Sequence, residues 1–153
     1  MRIPARADYA LRAVIELASQ DGFRHSLTTE AIATAQDIPV AYLPDVLAAL
    51  RRREILTSQR GAGGGFRLAR DPATISLADV IRAVDGPLAI IGDFRPDELS
   101  YTGTAEPLKE VWIAMRSSLR SILETVSVAD VASGALPDHI HRLTLAPGDW
   151  AAR

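Results

Sequence analysis

Between Ile38 and Arg70 the period of the apolar residues changes once, and that change limits the folds open to the chain. Leu43, Val46, Leu47, Leu50, Ile55 and Leu56 follow the 3.6-residue repeat of a helix with one buried stripe. The spacing predicts a single amphipathic helix with three consecutive arginines, Arg51 to Arg53, near its end. Beyond it, Leu56-Thr-Ser-Gln-Arg and Phe66-Arg-Leu-Ala-Arg alternate apolar and polar residues on either side of Gly61-Ala-Gly-Gly-Gly65, the pattern of a short β-hairpin. A basic helix followed at once by a basic hairpin matches the recognition helix and wing of a winged helix-turn-helix, one in the major groove and the other against the adjacent backbone or minor groove. The fold expected is mostly α with a small β-hairpin wing.

The rest of the chain supplies the partners such a unit needs. Residues 4–19 place Ala7, Leu11, Val14, Ile15, Leu17 and Ala18 opposite Arg6, Arg12 and Glu16, an amphipathic opening helix. Leu27-Thr-Thr-Glu-Ala-Ile-Ala-Thr-Ala starts with a threonine able to cap and is short, as the first helix of a helix-turn-helix pair should be. Asp37-Ile38-Pro39 makes the turn, with Ile38 in the core. After Asp71-Pro72, Ser76 and Asp79 form something close to a capping box for a helix that Gly86-Pro87 ends. Residues 87–107, with three prolines and the acids Asp93, Asp97 and Glu98, are expected to be a loop. Leu108, Val111, Trp112, Met115, Leu119, Ile122, Leu123 and Val126 then resume helical spacing, a stripe suited to a dimer seam or to packing within one chain. A short further helix is expected from Ser127 and an irregular tail from Pro137. The organisation expected is a DNA-binding domain over 1–86, a loop over 87–107, a dimerisation helix region over 108–135 and a tail over 136–153.

Net charge, −2 overall, divides by sign along the chain. Residues 1–70 hold ten arginines against seven acids, net +3, and residues 71–153 hold seven basic residues against twelve acids, net −5. Six arginines fall within 40–70 against Asp45 and Glu54, which concentrates positive field on the proposed DNA element. A solvated face would also carry such a run. The absence of cysteine excludes disulfides, thiolate zinc sites and cysteine-ligated iron-sulfur clusters. With no long apolar run and no signal-peptide core after Met1, the expected location is cytoplasmic, with no membrane contact.

The string from Tyr42 to Gly86 resembles the signature of the Rrf-two family of bacterial transcription regulators, whose members include an iron-sulfur cluster regulator and a nitric-oxide-sensing repressor. The shared pattern is Tyr42-Leu43 opening the helix, Arg60-Gly-x-x-Gly-Gly-Phe66-x-Leu68 in the wing, and Ile75-Ser-Leu-x-Asp-Val-Ile81 after it. It extends to Tyr9-Ala-Leu-Arg12, Trp112 and Ser127-Val-Ala-Asp-Val131. The resemblance implies a homodimer on a palindromic operator, joined through the long C-terminal helix. Cluster-binding relatives keep three cysteines in the loop corresponding to 87–107, and this sequence has none there. Pro44 stands where many members carry a helix-forming polar residue, often Glu. If the helix starts near Ala41 or Tyr42, Pro44 lies in its first turn and costs little. Asp45 next to it can accept from a cytosine amine or hold the helix off the phosphates. Arg60 resembles the family's minor-groove arginine, and Asp8 an acidic position that some relatives use as a cluster ligand.

Phosphate contacts are assigned to Arg2, Thr28, Thr29 and the Arg51, Arg52, Arg53 run, and groove reading to Pro39, Ala41, Tyr42, Asp45, Ser58, Arg60 and Gly61. The dimer interface is assigned to Val111, Trp112, Met115, Leu119, Ile122, Leu123 and Val126. No cofactor or metal is expected. The glycine loop lacks the Lys-Ser/Thr ending of a P-loop, and His139 and His141 have no Cys or third His beside them. No serine sits in a Gly-x-Ser-x-Gly elbow, so no enzyme is expected. The function read is a homodimeric repressor whose effector is a small organic ligand lodged near Trp112 or a partner protein. The alternative is a winged-helix module for protein contacts, which needs neither Arg60 nor the arginine run.

Overall fold

In the computed structural model, residues 3–19, 25–61 and 63–145 are described. Seven helices and one hairpin follow in chain order: α1 (Ala5–Ser19), α2 (Thr29–Gln36), α3 (Leu43–Arg52), β1 (Leu56–Gln59), β2 (Gly65–Leu68), α4 (Leu77–Asp85), α5 (Leu108–Leu123), α6 (Val128–Ser133) and α7 (Asp138–Thr144). The mostly helical winged fold expected from the sequence is the fold observed. Its core gathers Ala7, Ala10, Ala13, Val14 and Leu17 of α1 with Leu43, Val46, Leu47 and Leu50 of α3 and Ala78, Val80 and Ile81 of α4. Alanines dominate the buried stripe of α1, so neighbouring helices approach it closely; Leu11, Ile15 and Ala18 are only half-buried at its edges.

One expectation about α3 is corrected. Ile55 and Leu56 do not continue the helix, which stops at Arg52. Glu54 takes a left-handed conformation (φ 56°), Glu54 N–H bonds the Arg51 carbonyl at 3.0 Å, and Ile55 N–H reaches back to the Leu50 carbonyl at 3.0 Å. That is a Schellman close with glutamate where glycine is usual, and it turns the buried Ile55 into the sheet. The same device ends α2: Asp37 has φ 50° and Ile38, 4 % exposed, bonds the Ala33 carbonyl at 2.9 Å. Pro44 lies in the first turn of α3, after a 3-10 turn over Val40–Tyr42, where its missing N–H has no helical partner to lose.

The hairpin pairs Leu56 with Leu68, Thr57 with Arg67, Ser58 with Phe66 and Gln59 with Gly65. Leu27 adds a third edge, exchanging both backbone hydrogen bonds with Phe66 at 2.8 and 2.9 Å. The chain just before α2 is thereby fixed to the wing.

Capping boxes start both α4 and α6. Ser76 and Asp79 exchange bonds of 3.0 and 3.2 Å, Ser127 and Asp130 bonds of 3.1 and 2.8 Å. Hydrogen bonds from the Ser127 backbone and hydroxyl hold the Asp130 carboxyl below its ordinary range. The two starts lie side by side: Leu77 N–H bonds the Val126 carbonyl at 3.0 Å, and Val128 N–H bonds that of Ile75 at 2.8 Å. From there α6 packs on α1 and Val128 is fully buried in the main core, so the core is not divided at residue 86.

The segment 87–107 is a loop with two 3-10 turns, Pro96–Glu98 and Gly103–Ala105. Trp112 Nε1–H donates to Tyr101 Oη at 3.0 Å and Arg116 pairs with Asp97 at 2.9 Å, tying the loop to α5. The tail is not irregular throughout, for Pro137 leads into α7; its remainder, 146–153, lies outside the described residues.

Candidate nucleic-acid interface

Three local devices place the expected contact residues at the surface. Thr28 caps α2, its Oγ1 accepting the Ala31 N–H at 3.1 Å; Thr28 is exposed and Thr29 half-buried at the start of the helix. Pro39, Val40, Ala41 and Tyr42 are all exposed on the 3-10 turn leading into α3, with Tyr42 at 59 %. That exposure leaves an aromatic face open at the entry to α3. The Tyr42 ring rests 5.7 Å from that of Tyr9, and the Arg12 guanidinium sits 5.3 Å over Tyr9. Asp45 is exposed one turn further on.

A shallow hollow of about 310 Å³ brings Ala41, Tyr42 and Asp45 together with Arg6 and Tyr9 of α1. Arg6 escaped the sequence reading because its position marks it only as the polar side of the first helix. Its signal was the proximity of α1 to the start of α3, which becomes visible only in three dimensions.

The wing carries its own constraints. Gly61 (φ 95°) and Gly63 (φ 75°) turn the tip, closed by a 2.8 Å bond from Gly64 N–H to the Gly61 carbonyl, and Arg60 stands exposed at its base. Arg51 Nη1 donates to Ser58 Oγ at 3.2 Å, so those two candidates meet between helix and wing. Arg52 is exposed and makes no ion pair or side-chain hydrogen bond among the described residues. Arg2 lies outside the described residues. Asp8 pairs with Arg12 at 3.0 Å, and His139 on α7 meets Thr125 Oγ1 at 2.9 Å.

Helix α5 has no buried residue. Along its stripe Val111 is exposed, while Trp112, Met115, Leu119, Ile122 and Leu123 are half-covered. Val126 differs: it lies beyond the end of α5 and is 3 % exposed inside its own chain, so it is not available to a partner.

The family described as Rrf2, iron-dependent transcriptional regulator, matches residues 3–134. The chain belongs to the Rrf2 family. It is thus a DNA-binding transcriptional regulator of the helix-turn-helix type. A Mycobacterium tuberculosis protein named as an HTH-type transcriptional regulator is 45% identical over 143 residues, spanning 94% of this chain and 88% of that protein. CymR of Bacillus subtilis is 31% identical over 134 residues, 87% of this chain and 91% of CymR. Its structure, titled as that of the global cysteine regulator, superposes with a TM-score of 0.74 over 88% of this chain and 98% of that one, at 28% identity. The structure of T. potens IscR gives 0.71 over 97% and 94%, at 26% identity.

The iron-dependent chemistry in the family's description does not fit this Rrf2 chain's donors. The sequence has no cysteine, and among the described residues no three His, Asp or Glu side chains gather closely enough to hold a metal ion. In the loop where resemblance puts the relatives' thiolates, Asp97 and Glu98 are held by Arg95 at 3.2 and 3.1 Å. Among the described residues, no helix is long and apolar enough to cross a membrane.

Proposed function

We propose that this Rrf2 protein is a homodimeric repressor that reads a palindromic operator and responds to an effector other than a cysteine-held cluster. The observation that carries the dimer is α5, a sixteen-residue helix with an apolar stripe and no residue buried by its own chain. An apolar stripe that its own chain covers only in part is the usual mark of an interface. A two-fold partner there sets the two recognition helices about 34 Å apart, one turn of DNA. Phosphate contacts come from Thr28, Thr29, Arg51, Arg52 and Arg2, and groove reading from Pro39, Ala41, Tyr42, Asp45, Ser58, Arg60 and Gly61. Arg6 joins them through the hollow it shares with Tyr42 and Asp45.

Selection of fragments from a random DNA pool at two salt concentrations tests the reading. An enriched palindrome with salt-dependent affinity is expected, and no enriched sequence would turn the reading toward a protein-contact module. On the selected operator, Arg60→Ala should weaken specific binding by about 1 to 3 kcal/mol and relax selectivity at an A·T-rich step. An unchanged isotherm removes the wing from the interface. Leu119→Glu should convert dimers to monomers in sedimentation, because a carboxylate placed in an apolar seam loses its water without gaining a partner. A dimer that survives means the stripe faces its own chain.

A further inference from the structure

Away from the surface just described, the end of α3, the end of β2, α4 and α5 enclose a cleft of about 480 Å³. Five arginines line it, Arg53, Arg70, Arg82, Arg116 and Arg120, and Asp79 is the one carboxylate among the lining residues. Five like charges on one cleft make a positive field that favours an anion. The chain supplies part of the counter-charge: Asp79 meets Arg70 at 3.5 Å and Arg82 at 3.9 Å. Glu124, at the cleft's edge, binds Arg120 at 3.0 Å and also Arg82, and Asp97 binds Arg116. Hydrogen bonds from Arg120 and then Arg82 keep the Glu124 carboxyl below its usual range.

Three carboxylates therefore face five guanidinium groups, and Asp97 is shared with Arg95. Arg53 makes no ion pair or side-chain hydrogen bond among the described residues. The Nε–H of Arg116 is buried without an acceptor. A guanidinium has five donors in a planar fork shaped for carboxylate or phosphate oxygens; Arg70 gives one to the Thr74 carbonyl at 2.7 Å, and most of the others have no acceptor among the described residues. The volume lies within the range of small-molecule sites, about 300 to 1,000 Å³, and exceeds what a single oxyanion fills.

We propose that this cleft binds a small molecule carrying two or more phosphate or carboxylate groups, and that this anion is the protein's effector. The inference rests on the regulator reading above and names the effector's chemistry. Arg53 caps the recognition helix and Arg70 follows the wing, while Arg82 belongs to α4 and Arg116 and Arg120 to α5. An anion bridging them ties the DNA-reading unit to the proposed dimer helix. Its differential affinity for two placements of those parts is what shifts operator binding.

DNA is the other source of phosphate, since Arg53 and Arg70 also line an adjoining groove beside Arg51 and Ser58. The test therefore separates the two. The full-length protein is titrated calorimetrically with pyrophosphate and, separately, citrate at constant ionic strength. Saturable binding of one anion per chain is expected with Kd below about 1 mM, an affinity within reach of a few charge-assisted hydrogen bonds. Arg120→Gln and Arg82→Gln, each checked for an unchanged circular dichroism spectrum, should each weaken it roughly tenfold or more, the loss of one charged fork.

The operator arm is read on the same proteins. Added pyrophosphate should change operator affinity in the parent and not in Arg120→Gln, whose salt slope without the anion should equal the parent's. No saturable heat with either probe, undiminished binding in both variants, or operator affinity indifferent to the bound anion overturns the proposal. A salt slope lower by about one in Arg120→Gln also overturns it, because the cleft then holds a DNA phosphate. Anion binding that is lost in both variants while no DNA sequence is enriched would sustain the site and strike the regulator reading instead.

Discussion

Gly65→Ala is expected to lower the unfolding free energy by about 3 kcal/mol or more and to remove specific DNA binding. A Cβ at this position would lie 2.4 Å from the Leu27 carbonyl oxygen and 2.6 Å from its carbon, on a residue whose φ is 147°. Neither neighbour can yield cheaply. The Leu27 oxygen accepts the Phe66 N–H at 2.8 Å, and the next residue, Thr28, caps α2. Relieving the clash means parting the wing from the start of the helix proposed to meet the phosphates. Gly63→Ala is the control: nothing lies within 4 Å of its Cβ, so only the φ of 75° is at issue, about 1 to 2 kcal/mol. Urea unfolding followed by circular dichroism, with operator binding on the same samples, compares them. Equal midpoints for the two variants would show that the wing and Leu27 do not approach this closely.

Truncation after Glu124 is expected to abolish cooperative unfolding of the whole chain, although the removed part lies more than fifty residues beyond the wing. It takes away Val126 and Val128, both buried, and the two backbone bonds that join them to Leu77 and Ile75. Two valines are worth about 1.5 to 3 kcal/mol each and the bonds about 1 kcal/mol each. The combined loss, on the order of 5 to 8 kcal/mol, approaches the total stability of a small domain. It also uncovers the face of α1 on which α6 lies. Truncation after Gly134 keeps all of this and should melt nearly as the full chain does. If the shorter chain melts as sharply and at the same temperature, α6 is an accessory and not part of the core.

Much of this architecture is written in local pattern. The 3.6-residue stripes, the capping serine at 76, the short helix starting at Ser127 and the glycine-punctuated wing each announce themselves over a few residues, and each is found where the sequence puts it. The misreading at Ile55 has a physical source. A left-handed helix end is usually marked by glycine, whereas Glu54 and Asp37 do the same work here and read as ordinary polar residues. Helix α7 spans only seven residues, too few to show a period. The role of Val126 was not legible, because it continues the spacing of α5 and changes surroundings only where the chain turns back. The candidate interface was half legible: Tyr42, Asp45 and Arg60 come from one contiguous string, but Arg6 reaches them through the packing of α1. The arginine cleft left no sequence trace, since its five residues are scattered from Arg53 to Arg120 and meet only by folding.

The return of α6 to α1 also sets an order of events during synthesis. About 110 residues separate the end of α1 from the start of α6, which a ribosome needs roughly 5 to 20 s to add. For that interval the emerging chain holds its recognition helix and wing but not the piece that closes α1. A nascent copy therefore waits with an apolar face open to chaperones, and its DNA-reading surface becomes stable only when the helix proposed to pair it with another copy has already been made.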